Sequence, residues 1–296
     1  MTTVIGLAPG ERGGAAVHLG AMLARSTAED VVVAAVVPRP WPPNPYREDA
    51  EYLAYQESAA RQALIEAQSQ LGEDLSVRGV LRQARSVSSG LLEVAREHEA
   101  RVVALGSSAA GGLGVVSLGG VAQRILYSSE IPVTLAPKGF TVSPGARVTR
   151  ITVAFGRSDG DSDLLRTAAR TAQEIGATLR VACFAVRPMT ASTGSIEASA
   201  DELVVDEWVR ALDTDINRAL RASDTGTVTT KADLVVGQGG SWGEALADVP
   251  WASGDVLAVG TSSSPVSRIF LGSHASKIVR SASVPVFLMP RMLPLV

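Results

Sequence analysis

The chain repeats itself. Leu118–Pro137, LGGVAQRILYSSEIPVTLAP, returns without gaps as Leu271–Pro290, LGSHASKIVRSASVPVFLMP. Both open on Leu-Gly, carry Arg/Lys-Ile at the centre, and end Ile/Val-Pro-Val-x-Leu-x-Pro. Upstream, Val102–Gly112 (VVALGSSAAGG) matches Val256–Val266 (VLAVGTSSSPV), and Thr3–Gly10 matches Thr152–Gly160 more loosely. With 296 residues, the chain has room for two domains of ordinary size. The repeat divides it into residues 1–140 and 149–296, with 141–148 as linker. That linker lies within Lys138–Arg150, a stretch with Gly, Ser and Pro and no apolar period.

Within each half, strand and helix patterns alternate. The first half reads as strands Thr3–Leu7, Val31–Val37, Ser76–Leu81, Arg101–Leu105 and Pro132–Ala136. Its helices are Gly13–Ser26, Arg47–Leu71, Ser86–Glu99, with Ser86 and Ser88 both able to cap it, and Ser117–Ser129. Pro38–Pro45 holds five prolines and must be an extended loop. In the second half the strands are Thr149–Phe155, Thr178–Val186, Thr227–Val236, Asp255–Val259 and Pro285–Met289. Helices there are Asp161–Ile175, Ser199–Arg221, Ser241–Val249 and Ser273–Ser283. The β-branched run Val31–Val37 suits a strand buried on both faces. Such alternation predicts βαβ units, a parallel sheet and right-handed crossovers.

Composition removes several function classes. A net charge of −3 argues against bulk binding of nucleic acid. No apolar run approaches the roughly 18–20 residues of a membrane span, and the N-terminus has no basic targeting region, so a cytoplasmic protein is expected. Cys183 is the single cysteine, which excludes an internal disulfide, and it reads as a small core residue. His18, His98 and His274 are too scattered to suggest a metal site.

Open parallel sheets bind ligands beyond the C-terminal ends of their strands. The loops after each fourth strand are the most distinctive segments there. The first is Gly106, Ser107, Ser108, Ala109 onward to Gly119 and Gly120; the second is Gly260, Thr261 and Ser262–Ser264 onward to Gly272 and Ser273. Glycine lets the backbone approach a phosphate, helix N-termini favour anions, and hydroxyls add donors. A tight strand–helix connection would use the same small residues. Gly237-Gln-Gly-Gly-Ser-Trp-Gly reads as a turn after the third strand, since Trp242 breaks a dinucleotide-binding spacing. No P-loop is present. Asp201-Glu202 and Asp206-Glu207 read as a solvated helix face, and the proline-rich loop with Trp41 and Tyr46 as a cover for a pocket or a partner surface.

These segments resemble the universal stress protein family in its tandem form, whose members carry G-x2-G-x9-G-(S/T) in this loop before a Pro-Val strand. Gly106 and Gly119 match the outer glycines in the first half, with Ala109 at the middle glycine and Gly120 at the Ser/Thr position. In the second half Gly260, Gly272 and Ser273 match, Ser263 replaces the middle glycine, and the loop is one residue short. The resemblance implies two Rossmann-like domains of the adenine nucleotide alpha hydrolase type, each a five-stranded parallel sheet flanked by helices. It implies ATP as ligand, with adenine near Val36–Val37 and Ala185–Val186 and triphosphate held by amides and hydroxyls, no lysine reaching the loops. It also implies an intrachain pseudo-dimer joined by antiparallel pairing of Pro132–Ala136 with Pro285–Met289, with a further homodimer left open. ATP-binding members end the first strand on an Asp; Ala8 and Gly156 stand there, with Asp159, Asp161 and Asp163 just downstream. An ATP-binding stress-response regulator and a nucleotide-free interaction protein are therefore both expected readings. With no general base in view, an enzyme is not expected beyond a slow ATPase.

Overall fold

The computed structural model describes residues 2–8, 14–39, 47–128, 131–156, 161–186, 210–212, 214–220, 232–261 and 271–290, apart from the side chains of 47–49 and 290. The first half contains β1 (Thr2–Leu7), α1 (Gly14–Thr27), β2 (Asp30–Pro38), α2 (Arg47–Gln70), β3 (Val77–Ala84), α3 (Val87–Glu97), β4 (Ala100–Gly106), α4 (Gly120–Ser128) and β5 (Val133–Ala136). The second contains β6 (Arg150–Ala154), α5 (Asp161–Ile175), β7 (Thr178–Val186), β8 (Ala232–Gly239), α6 (Trp242–Ala247), β9 (Asp255–Thr261), α7 (Ser273–Ser281) and β10 (Val286–Pro290). Residues 210–212 and 214–220 are helical, inside the expected Ser199–Arg221 helix.

Among the described residues the ten strands form one sheet in the order β3-β2-β1-β4-β5-β10-β9-β6-β7-β8. Outward from the centre, each half follows the same path, and every neighbouring pair within a half is parallel. The one antiparallel pair among the described residues is β5 with β10: Val286 faces Leu135, Phe287 faces Thr134, and Leu288 faces Val133. Those residues are each other's repeat equivalents in reversed order, so the pseudo-two-fold axis passes through Thr134 and Phe287. The Thr134 hydroxyl is fully buried and donates to the carbonyl of Val286 at 3.1 Å, which removes the cost of burying it there.

Helices cover both faces. On one face α3, α4, α6 and α7 share a core that crosses the seam, with Leu91, Ile125, Leu246, Val279, Leu135 and Leu288 all buried in it. On the other, α1 and α2 bury Ala16, Val17, Ala60 and Leu64 against β1 and β2. Leu19, Met22 and Leu165, from α1 and α5, meet under the centre of the sheet. α1 comes close because Gly20 faces Ile5: a Cβ there would lie 2.4 Å from Ile5 Cδ1. The connection from β5 to β6 is pinned to this layer. Phe140 and Val142 pack on the core, Val148 N–H donates to Ser26 Oγ at 2.8 Å, and Arg147 donates to the Arg25 carbonyl.

Three expected elements change. β8 runs on to Gly239, so Gly237 and Gly239 belong to the strand and not to a turn after it. α6 lies so close that a Cβ on Gly237 would meet the Ala245 carbonyl oxygen at 2.1 Å, and one on Gly239 the Glu244 Cβ at 2.5 Å. α4 begins at Gly120 and not Ser117, because Ser117 is committed to the preceding loop: its N–H donates to Ser107 Oγ at 2.9 Å. Ser86 alone caps α3, in a reciprocal box with Ser89; Ser88 is buried inside the helix. No helix among the described residues is long and apolar enough to cross a membrane.

Candidate functional site

Because β5 and β10 run antiparallel, the C-terminal strand edges of the two halves lie at opposite rims of the sheet. Each half has its switch point between its first and fourth strands, β1/β4 and β6/β9, which have neighbours on opposite sides. The loops that leave β4 and β9 therefore start beside the two crevices a ligand would use.

The loop after β4 is described in full and is folded onto itself. Ser108 N–H donates to the Ser117 carbonyl at 3.0 Å, and the two hydroxyls lie 2.9 Å apart. Ser107 Oγ donates to the Ala136 carbonyl at 2.7 Å, tying the loop to the end of β5. Gly119 closes the ring: a Cβ there would press on Ser108 Cβ at 3.0 Å. Gly120 is the first residue of α4 and has open space around it, while Ala109 is exposed at the loop's outer turn. These five positions, Gly106, Ser107, Ala109, Gly119 and Gly120, thus share one loop.

The expectation that no lysine reaches the loops is wrong. Lys138 Nζ donates to the carbonyls of Ala109 at 3.2 Å and Gly111 at 3.1 Å. The Lys138 backbone is paired as well, with Gly114 N–H on its carbonyl at 2.9 Å and its own N–H on Val115 at 3.1 Å. Parallel pairing of β4 with β5 brings this about, since it sets the residue after β5 beside the residues after β4. The available signal was a lone lysine in the first half, placed directly after the last strand.

In the second half, Gly260 and Thr261 end β9; Thr261 is buried and its hydroxyl donates to Met289 at 3.3 Å. Gly272 is the N-cap of α7 without any side-chain cap, and Ser273 follows it, exposed. Ser263, with Ser262 and Ser264, lies outside the described residues, as do Asp159, the acidic pairs at 201–207, Trp208, Trp41 and Tyr46. Val37 is buried in the core beneath α1 and α2, whereas Val186 is half-buried at the end of β7.

The first-strand ends differ from each other. Ala8 is exposed after β1. After β6, the buried carboxylate of Asp161, the first residue of α5, accepts the N–H of Gly156 at 3.0 Å. Cys183 lies on the neighbouring strand; burial and the Asp161 charge push its thiol up to about 12, as befits an inert core residue.

One asymmetry was not read from the sequence. At the C-terminal rim of the second half, Phe184 and Trp242 have ring centroids 6.3 Å apart, and Trp242 and His274 5.4 Å apart. The capping serines Ser86 and Ser241, the glycines Gly119 and Gly272, and the matching starts of β2 at Asp30 and β7 at Thr178 fix the equivalent places in the first half. There stand Val36, Val87 and Val121, all packed on the shared core. Three valines on one side thus correspond to three rings on the other.

Comparison with known proteins agrees with this architecture. The model of the universal stress protein family matches twice, over residues 2–137 and 147–290. Universal stress protein Rv2319c of Mycobacterium tuberculosis and Mb2346c of Mycobacterium bovis are each 36% identical over 295 residues, covering 98% of this chain and 100% of theirs. Among solved structures, a universal stress protein from Archaeoglobus fulgidus superposes with a TM-score of 0.63 at 16% identity, over 98% of both chains. A putative universal stress protein from Pseudomonas aeruginosa gives 0.58 at 13% identity, over 98% of this chain and 92% of that one. Two family matches on two copies of one βαβ plan, joined through their last strands, make this chain a tandem member of the universal stress protein family.

Proposed function

We propose that this universal stress protein binds an adenine nucleotide, ATP above all, and acts as a nucleotide-dependent stress-response regulator in the cytoplasm. The observation that carries the reading is the loop after β4. It lies at the switch-point rim, is braced by Ser107, Ser108 and Ser117, and ends on Gly119 and Gly120 at a helix start. Such a loop offers backbone amides and a helix dipole to phosphate. Gly272 and Ser273 offer a second, uncapped helix start at the opposite rim. No catalytic role is assigned.

The test is analysis of what the purified chain carries, followed by calorimetric titration with ATP. One or two nucleotides per chain support the reading. Gly120→Trp and Gly272→Trp then assign each site, since both glycines face open space and the fold accepts a side chain there. A well-folded protein with no bound nucleotide and no heat refutes it.

A second reading is an interaction protein that holds no nucleotide. It is favoured by Ala8, which leaves the first-strand end of the first half without a carboxylate, and by Gly156, whose amide Asp161 already holds. The same titration separates the two.

A further inference from the structure

We infer that Lys138 is a positioning residue for an oligophosphate at the loop after β4. The inference rests on the nucleotide reading of that loop and adds to it the element that sets its charge preference.

Lys138 Nζ holds two carbonyl oxygens, those of Ala109 and Gly111, on one side of the loop. In a trans peptide the N–H points away from the carbonyl of the same unit. Drawing these two carbonyls toward the ammonium therefore turns the N–H groups of Ala110 and Gly112 the other way. Both residues are exposed, and among the described residues neither amide has a hydrogen-bond partner. Five other amides of the loop, those of Ser108, Gly111, Gly114, Val116 and Ser117, donate within the fold. What singles out Ala110 and Gly112 is that each belongs to a peptide unit whose carbonyl Lys138 holds, in a loop that five internal donors keep in shape.

Charge acts in the same direction. Among the described residues Lys138 forms no ion pair; its positive charge is shared only with carbonyl dipoles. An ammonium on a carbonyl oxygen polarises that peptide unit and makes its N–H a stronger donor. This arrangement compensates for what the loop lacks, since Ala109 replaces the middle glycine and Gly120 brings no hydroxyl. Through the repeat, Arg291 holds the same place after β10, directly following Pro290 as Lys138 follows Pro137. Each further phosphate on a ligand should gain from this charge, whereas a neutral nucleoside should not.

The experiment is calorimetric titration of the full chain with ATP, AMP and adenosine, for wild type, Lys138→Met and Lys138→Arg. Met keeps the aliphatic stem and removes the charge; circular dichroism and thermal melting check that each variant is folded. Lys138→Met is expected to weaken ATP about tenfold, AMP less and adenosine little, with Lys138→Arg recovering most of the loss. Equal weakening of ATP and adenosine, or none at all, overturns the role of Lys138 and leaves nucleotide binding standing. Absence of binding to the wild type overturns both. Should Lys138→Met fail to fold, Lys138→Gln, an uncharged donor, takes its place with the same expectations.

Discussion

Val116 of the first half donates its backbone N–H to the carbonyl of Ala282 in the second, at 3.0 Å. Ala282 is the C-cap of α7, whose other end is Gly272. One helix, about 14 Å long by its nine residues, therefore reaches from the candidate loop of one half to that of the other. Loop position is set from across the seam as well as from within.

Amide exchange should reveal that division. The Val116 amide is expected to exchange as slowly as those of β5 and β10. Those of Ala110 and Gly112, six and four residues earlier in the same loop, should exchange near the rate of an unfolded chain. Slow exchange at Ala110 and Gly112 would show that their amides are occupied in the free protein.

Two glycines should respond oppositely to the same change. Gly237→Ala places a methyl against the Ala245 carbonyl at 2.1 Å. Neither strand nor helix can yield freely, so a loss of about 2 kcal/mol or more is expected. Gly120→Ala meets nothing within 4 Å and should be neutral or stabilise by up to about 1 kcal/mol. Urea denaturation of both variants decides the matter.

A buried ion cluster offers a sharper asymmetry. Asp255 is almost wholly buried and accepts from Arg150 Nε at 2.9 Å, Arg150 Nη2 at 2.6 Å and the Ala252 amide at 2.9 Å. The Arg180 guanidinium lies 3.4 Å away and is 4% exposed; burial lowers its pKa, with the Arg150 charge adding to that. It also bonds Thr152 and Pro250 and lies 4.8 Å over the Trp251 ring. Asp255→Ala strands two guanidiniums without their carboxylate and should cost about 3–5 kcal/mol. Arg180→Met leaves Asp255 paired with Arg150, and should cost under about 2 kcal/mol. Equal costs would contradict this charge distribution.

Acid sensitivity has a local source in His18. Half-burial in α1 lowers its pKa below the ordinary 6.5 by desolvation. The unfolded chain therefore takes up a proton first. Stability from the neutral imidazole is complete above pH 6.5 and is lost as the pH falls toward the folded value. His18→Gln should flatten the fall in stability as the pH drops below 6.5, as followed by urea midpoints. An undiminished fall in the variant would place the source elsewhere.

Cys183 gives a simple check on the second half's core. With its thiol fully buried and pushed up to about 12, it should resist disulfide reagents in the native protein and report one thiol per chain after denaturation. Rapid reaction in the native state would mean that β7 opens readily.

The fold was legible because each half spells strands as short β-branched runs and closes on the same Leu-Gly to Pro-Val-x-Leu-x-Pro pattern. Legibility failed where a residue type had two uses. Gly237 and Gly239 read as a turn, yet they serve close packing under α6. Ser117 reads as the start of a helix, yet its amide and hydroxyl clasp Ser107 and Ser108. Lys138 was missed because a sequence separates it from Ala109 by a whole helix and strand, and only the β4–β5 pairing removes that distance. The aromatic cluster of Phe184, Trp242 and His274 spans three elements far apart in the chain, so no local window contains it.

Pairing β5 with β10 inside one chain has a consequence for heredity as well as for shape. A homodimer of single domains acquires every substitution in both copies at once, so its two sites stay identical. Here a change in one half leaves the other untouched while the two remain locked at equal number. Val36, Val87 and Val121 set against Phe184, Trp242 and His274 are the visible record of that freedom. One gene thus carries two copies whose residues can be substituted separately.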